Sequence, residues 1–159
     1  MCYEDCGDAI RFTDSSFTSF CDDGNLVAYD GCDEDCGTED GWYCIGGSSS
    51  SPDTCYEICG DGLDFGEFEC DDGNSYDYDG CSYDCEIESG YNCEDGDETT
   101  PDECYDICGD GYDMGQNECD DGDLDAYDGC MSDCTIRPGW ECYEGSYDTA
   151  SDCYEICGD

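Results

Sequence analysis

The chain has 159 residues, 20 of them Cys, and 47 Asp and Glu stand against two Arg, no Lys and no His, for a formal net charge of −45. A charge of that sign and size excludes nucleic acid as a partner and works against an anionic membrane surface. Seven Ile, five Phe, three Leu and one Val are too few to bury a conventional core against the entropy of the chain. Cross-links have to supply much of the stability.

The even cysteine count predicts an oxidising compartment and an extracellular protein. A cytosolic thiolate metal cluster is the weaker alternative, because His is absent and the ten-residue gaps suit loops closed by bridges. No apolar run approaches the length of a membrane span, so no membrane insertion is expected. Cys2 follows Met1 directly, and a secreted protein's leader would lie outside this sequence.

Internal repetition organises everything else. CYEDCGD at Cys2, CYEICGD at Cys55, CYDICGD at Cys104 and CYEICGD at Cys153 mark repeats over 2–54, 55–103 and 104–152, with 153–159 as the start of a fourth or a junction segment. The first repeat carries four extra residues between Cys6 and Cys21, within the relatively apolar stretch IRFTDSSFTSF. An alternative frame starts each unit at Cys-Gly-Asp and gives six cysteines per unit: Cys6–Cys55, Cys59–Cys104 and Cys108–Cys153. Three internal bridges per unit then have 15 connectivities, and Cys2 and Cys157 are left over. Either the chain is a slice of a longer array, or subunits join head to tail through Cys157 and Cys2.

In chain order, Cys55 to Cys59 alternates with the period of a strand. Cys81 to Cys85 has the length of one helical turn, with Asp79 as its N-cap. Glu86 to Asn92 is expected to form a tight hairpin about Ser89-Gly90, with Ile87 opposite Tyr91. Trp42 and Trp140 stand at the Tyr91 position, and Thr38 and Ile136 at the Ile87 position. These aromatics are expected to cover disulfides rather than form a binding platform. The connecting loops are polar. They are either solvated turns or O-glycosylation sites, at Ser48, Ser49, Ser50, Ser51, Thr54, Thr99, Thr100 and Thr149. The fold class expected is small and disulfide-rich: a tandem array of modules with short β-hairpins and turns and little helix.

Between the second and third cysteines of each six-cysteine unit lies an acidic turn. Asp22, Asp23, Asn25 and Asp30 recur as Asp71, Asp72, Asn74 and Asp79, and as Asp120, Asp121, Asp123 and Asp128. Clustered carboxylates and carbonyls in Gly-rich turns are the ligand set of Ca²⁺, which takes six to eight oxygens, so Ca²⁺ is the expected cofactor. The rival reading is that the Asp-Gly pairs only make turns. An EF-hand is excluded, since Ala126 and Ser132 occupy the positions that need Gly and Glu. Catalysis is not expected, as general-base His and Lys are missing.

Cys59-Gly60-Asp61-Gly62, Glu69-Cys70-Asp71-Asp72-Gly73-Asn74, Asp79-Gly80-Cys81, Cys85 and Gly90-Tyr91-x-Cys93 together resemble tandem extracellular cysteine-rich repeats of protist and bacterial surface proteins. Tyr29, Tyr78 and Tyr127 depart from the Gly usual in that family before Asp-Gly-Cys, Ala9 replaces the second Gly of Cys-Gly-Asp-Gly, and Asp123 replaces the Asn of Asp-Asp-Gly-Asn. The resemblance implies an extracellular location and a repeat architecture. The function expected is structural: a rod, fibre or surface filament, stiffened by Ca²⁺, self-associating and glycosylated. The alternative is a soluble acidic module that captures a basic ligand, Ca²⁺ or a mineral surface.

Overall fold

The computed structural model describes residues 5–11, 21–94, 96–143 and 145–158. Cys2 and most of the insertion in the first repeat, residues 12–20, lie outside the described residues. Among the described residues, six strands form three two-stranded antiparallel sheets. β1 (Trp42–Ile45) pairs with β2 (Thr54–Glu57), β3 (Tyr91–Glu94) with β4 (Glu103–Asp106), and β5 (Trp140–Tyr143) with β6 (Asp152–Glu155). The fold is the expected small disulfide-rich one, with no helix among the described residues.

Nine disulfides hold the described residues, three per unit, in one repeated pattern. In the second unit Cys59 pairs with Cys85, Cys70 with Cys81 and Cys93 with Cys104. The bridges close within Cys6–Cys55, Cys59–Cys104 and Cys108–Cys153, and we call these stretches modules. Each module has a nested pair of loops around the acidic turn, followed by a clipped hairpin. The hairpin bridge joins residues that face each other in register, Cys44↔Cys55, Cys93↔Cys104 and Cys142↔Cys153. Each closed loop restrains the unfolded chain by about 3 kcal/mol.

The core is made of these bridges. The buried residues of the second module's cluster are Cys70, Cys81 and Cys85, and of the third's Cys119, Cys130 and Cys134. Cys21, Cys32 and Cys36 are buried in the first module, and the other buried hydrophobic side chains among the described residues are Trp42 and Tyr91. They lie over the Asp-Gly-Cys turn, where Gly31 and Gly80 leave room for the hairpin. A Cβ on Gly80 would sit 2.2 Å from Cys104 Cβ and 3.2 Å from Tyr91 Cδ1, and φ there is +123°. That glycine is what allows the acidic turn to press against the hairpin bridge.

Two local expectations change. Ser89-Gly90 does make a tight turn, closed by Tyr91 N donating to Glu88 O at 3.1 Å, but Ile87 does not face Tyr91. It bridges to Cys81, as Ile136 does to Cys130 and Thr38 to Cys32, and Tyr91 enters β3 opposite Asp106. The strand partner comes from the start of the next repeat because Cys93–Cys104 fixes it there. Cys81 to Cys85 is a turn and not a helical one: Cys85 N donates to Ser82 O, and Cys85 has φ +57°. A left-handed residue ends any right-handed helix.

Candidate functional site

The two adjacent aspartates that begin each acidic turn have different surroundings. Asp71 is fully buried, and its carboxylate accepts from Gly60 N (2.7 Å), Gly62 N (2.8 Å) and Gly73 N (2.9 Å). Asp120 does the same with Gly109, Gly111 and Gly122. Asp22 accepts from Ala9 N and Gly24 N, and its other oxygen is buried without a partner. The three residues thus join the Cys-Gly-Asp segment to the acidic turn through backbone N–H groups.

The second aspartate belongs to a separate cluster. Asn74 Nδ2 donates to both Asp72 Oδ2 and Asp79 Oδ2, each at 3.0 Å, and Asn25 bridges Asp23 and Asp30 in the same way at 2.8 and 3.0 Å. An amide thus sits between two carboxylates. In the third module the amide is replaced by Asp123, and carboxylate oxygens of Asp121, Asp123 and Asp128 converge within 4.8 Å of one another. Asp30 Oδ1, Asp79 Oδ1 and Asp121 Oδ1 are buried atoms with no hydrogen-bond partner. Burial, and after it the charge of Asp128, pushes the Asp121 carboxyl above the usual carboxylate range. Burial and then Asp79 do the same to Asp72, while at Asp23 burial outweighs the hydrogen bond from Asn25. Converging carboxylate oxygens are the type of ligand that Ca²⁺ takes. The cysteine sulfurs that meet at Cys119, Cys142 and Cys153 all belong to disulfides and offer no thiolate.

The sequence reading missed three further carboxylates. Glu39 takes the N–H groups of Tyr29, Asp30 and Gly31 between 2.9 and 3.0 Å, and Glu88 takes those of Tyr78, Asp79 and Gly80 between 2.7 and 3.1 Å. The carboxylate holds Tyr29 at φ 68° and Tyr78 at φ 77°, in the left-handed region that favours Gly. The third module has Arg137 in this position; it donates to Ala126 O at 3.0 Å, and Tyr127 leaves the left-handed region. Asp102, read from sequence as part of a polar loop, accepts from Asp71 N (2.8 Å) and Gly96 N (3.1 Å), while its own N–H donates to Asp71 O (2.7 Å). Recurrence at a spacing of 49 was the signal available for both groups.

The remaining predicted sites are loop residues. Ser49, Ser50, Thr54, Thr99, Thr100 and Thr149 are exposed, and Ser48 and Ser51 half-buried. Ser48 and Ser51 hydroxyls bond each other at 2.8 Å, and Thr99 and Thr100 hydroxyls donate to Asp97 Oδ1. Cys157 is a free, exposed thiol.

A family model described as a domain of unknown function (DUF4215) matches residues 39–86. The matched stretch runs from the hairpin of the first module through the acidic turn of the second to its Cys85. No curated protein matches the chain. The match and the nine disulfides make this a chain of cysteine-rich, repeated modules.

Proposed function

We propose that this chain is a stiff segment of an extracellular structural array, a rod or surface filament of tandem repeats with Ca²⁺ held in the acidic turns. The observation that carries this reading is the junction between modules. β2 ends at Glu57 and the next module's first bridge begins at Cys59, so Ile58 alone separates them. Ile58 N is itself bonded to Gly41 O at 2.8 Å. Glu57, almost fully buried, reaches across to accept from Phe65 N (2.5 Å) and Glu67 N (3.1 Å), and Trp42 packs on Phe65 with ring centroids 5.2 Å apart. The next junction repeats this with Ile107 as the single intervening residue and Asp106 accepting from Met114 N at 3.1 Å. A three-residue link, two of whose residues belong to the strand, with side chains clamped across it leaves little room for a hinge.

Cys157 stands where Cys59 and Cys108 stand, and those pair with Cys85 and Cys134 of the module that follows. In an array, Cys157 would accordingly pair with the fourth cysteine of a module in register with it. Glycans on the exposed loop hydroxyls are compatible with such a surface. Small-angle scattering and negative-stain images of the purified chain, with Ca²⁺ and with chelator, test the reading. Elongated particles that stiffen or polymerise with Ca²⁺ support it, and compact particles indifferent to Ca²⁺ overturn it. The second reading, an acidic module that binds a basic ligand, is favoured by aromatic clefts at the module junctions.

A further inference from the structure

Where the second module meets the third, Tyr78, Tyr91, Tyr147 and Met114 line a pocket of about 160 Å³, with Glu88 on its wall. Asp113 lines its continuation. The rings of Tyr78 and Tyr147 lie 6.3 Å apart and tilted by 51°, and they are 76 % and 62 % exposed, whereas Tyr91 is buried. Tyr29, Tyr76 and Tyr127 are exposed as well, and what sets Tyr78 and Tyr147 apart is that they meet from two modules across a cleft. The junction between the first and second modules has the matching cleft, with Tyr29, Glu39 and Phe65 at the places of Tyr78, Glu88 and Met114, and Glu98 at that of Tyr147.

We propose that the cleft between the second and third modules is an aromatic cage for an organic cation, the lysine or arginine side chain of a basic protein partner. Three observations carry this. The rings present negative faces, and the wall carries carboxylates, so the site is complementary to a soft cation rather than to an anion or a neutral chain. The negative potential is felt at the cleft: burial first, then Asp106, Glu88 and Asp79, push the Tyr91 phenol above its usual range. The third module shows the same tyrosine already holding a cation. Arg137, at the position of Glu88, places its Cζ 5.0 Å from the ring centroid of Tyr127, at the position of Tyr78. There the chain supplies the guanidinium itself, and in the second module Glu88 stands in its place.

A second copy of the chain is not the occupant. It has no lysine, and its two arginines are engaged, Arg11 with Asp53 at 3.0 Å and Arg137 over Tyr127. The partner is therefore a different, basic protein, drawn in by the charge of −45 and held by the rings. This goes beyond the structural reading and does not depend on filaments forming.

The test separates the cage from bulk attraction and from an apolar cleft. Acetyl-Gly-Lys-Gly amide and acetyl-Gly-Arg-Gly amide are titrated against the norleucine peptide at about 0.15 M salt, where long-range charge effects are largely screened. Saturating Ca²⁺ is present in one series and chelator in the other, so that the metal reading and the cage reading fail separately. The readout is the NMR signal of the Met114 methyl group, the methionine that lines this cleft. Lysine and arginine peptides are expected to shift it, and norleucine is not. The double variant Tyr78→Gly, Tyr147→Ala keeps the net charge, and Gly suits the left-handed backbone at Tyr78. It is expected to bind the lysine peptide about tenfold more weakly, while Tyr147→Phe retains binding. Equal binding of norleucine, or undiminished binding of lysine by the correctly bridged double variant, overturns the proposal.

Discussion

Asp71 gives both carboxylate oxygens to backbone N–H groups, while Asp72 and Asp79 share one amide and keep their remaining charge. Asp71→Asn would put an NH₂ where an acceptor is needed, and the buried N–H left unpaired costs about 2 kcal/mol. Denaturant unfolding with the bridges intact should read that loss, whereas Asp72→Asn, which removes a repulsion, should be neutral or stabilising. The third module's carboxylate trio makes the sharper metal prediction. Calorimetry should give its Ca²⁺ site the highest affinity of the three, Asp123→Asn should weaken it about tenfold, and Asn74→Asp should strengthen the second module's site. Equal affinity before and after both changes would sink the metal reading. One position is handled three ways. Arg11 pairs with Asp53, Asp113 accepts from Ser151 Oγ at 3.0 Å, and Asp64 meets the Asp102 carboxylate. Burial, and then Asp102, push the Asp64 carboxyl upward. Asp64→Asn supplies a donor between the two and is expected to gain about 1 kcal/mol at neutral pH.

At the scale of the element, the hairpin and the acidic turn are bound through one atom-sized gap. Gly80→Ala places a Cβ 2.2 Å from Cys104 Cβ at a left-handed φ, so the turn and the bridge cannot both keep their places. Oxidative refolding of Gly80→Ala should yield scrambled bridges in the second module, measured by peptide mapping, whereas Gly66→Ala, strained by its φ of +91° but with open space around it, should lose some stability and still form the native bridges. The strand from Cys55 was legible because its alternation is local. Its partner was not, because a four-residue strand carries no mark of what it pairs with. The turn at Ser89-Gly90 was legible for the same reason, and the pairing of Ile87 was not.

For the whole molecule, burial raises Asp23, Glu57, Asp61, Asp64, Asp72, Asp106 and Asp121 together. A carboxyl whose folded value lies above its unfolded value makes the native state hold more protons. Stability then falls as pH rises from about 4, the unfolded value, through the raised folded values, and levels off above them. Asp97, lowered by the hydroxyl and amide of Thr99, runs the other way, but it is a single exposed group. Melting temperature is therefore expected to be higher at pH 5 than at pH 7 in chelator and low salt. Ca²⁺ or salt should restore much of the difference at pH 7 by screening the charge of −45.

The sequence by itself determined the repeat, the dependence on bridges and the acidic turn, because each is written in spacing and composition that no folding can alter. The tertiary structure alone decided which cysteines pair, and with them the division of labour between Asp71 and Asp72. It alone placed Tyr147 across a junction from Tyr78, 69 positions earlier in the chain. These are contacts between residues far apart in sequence, and side-chain type at one end carries no record of its distant neighbour until the disulfides have brought the two together.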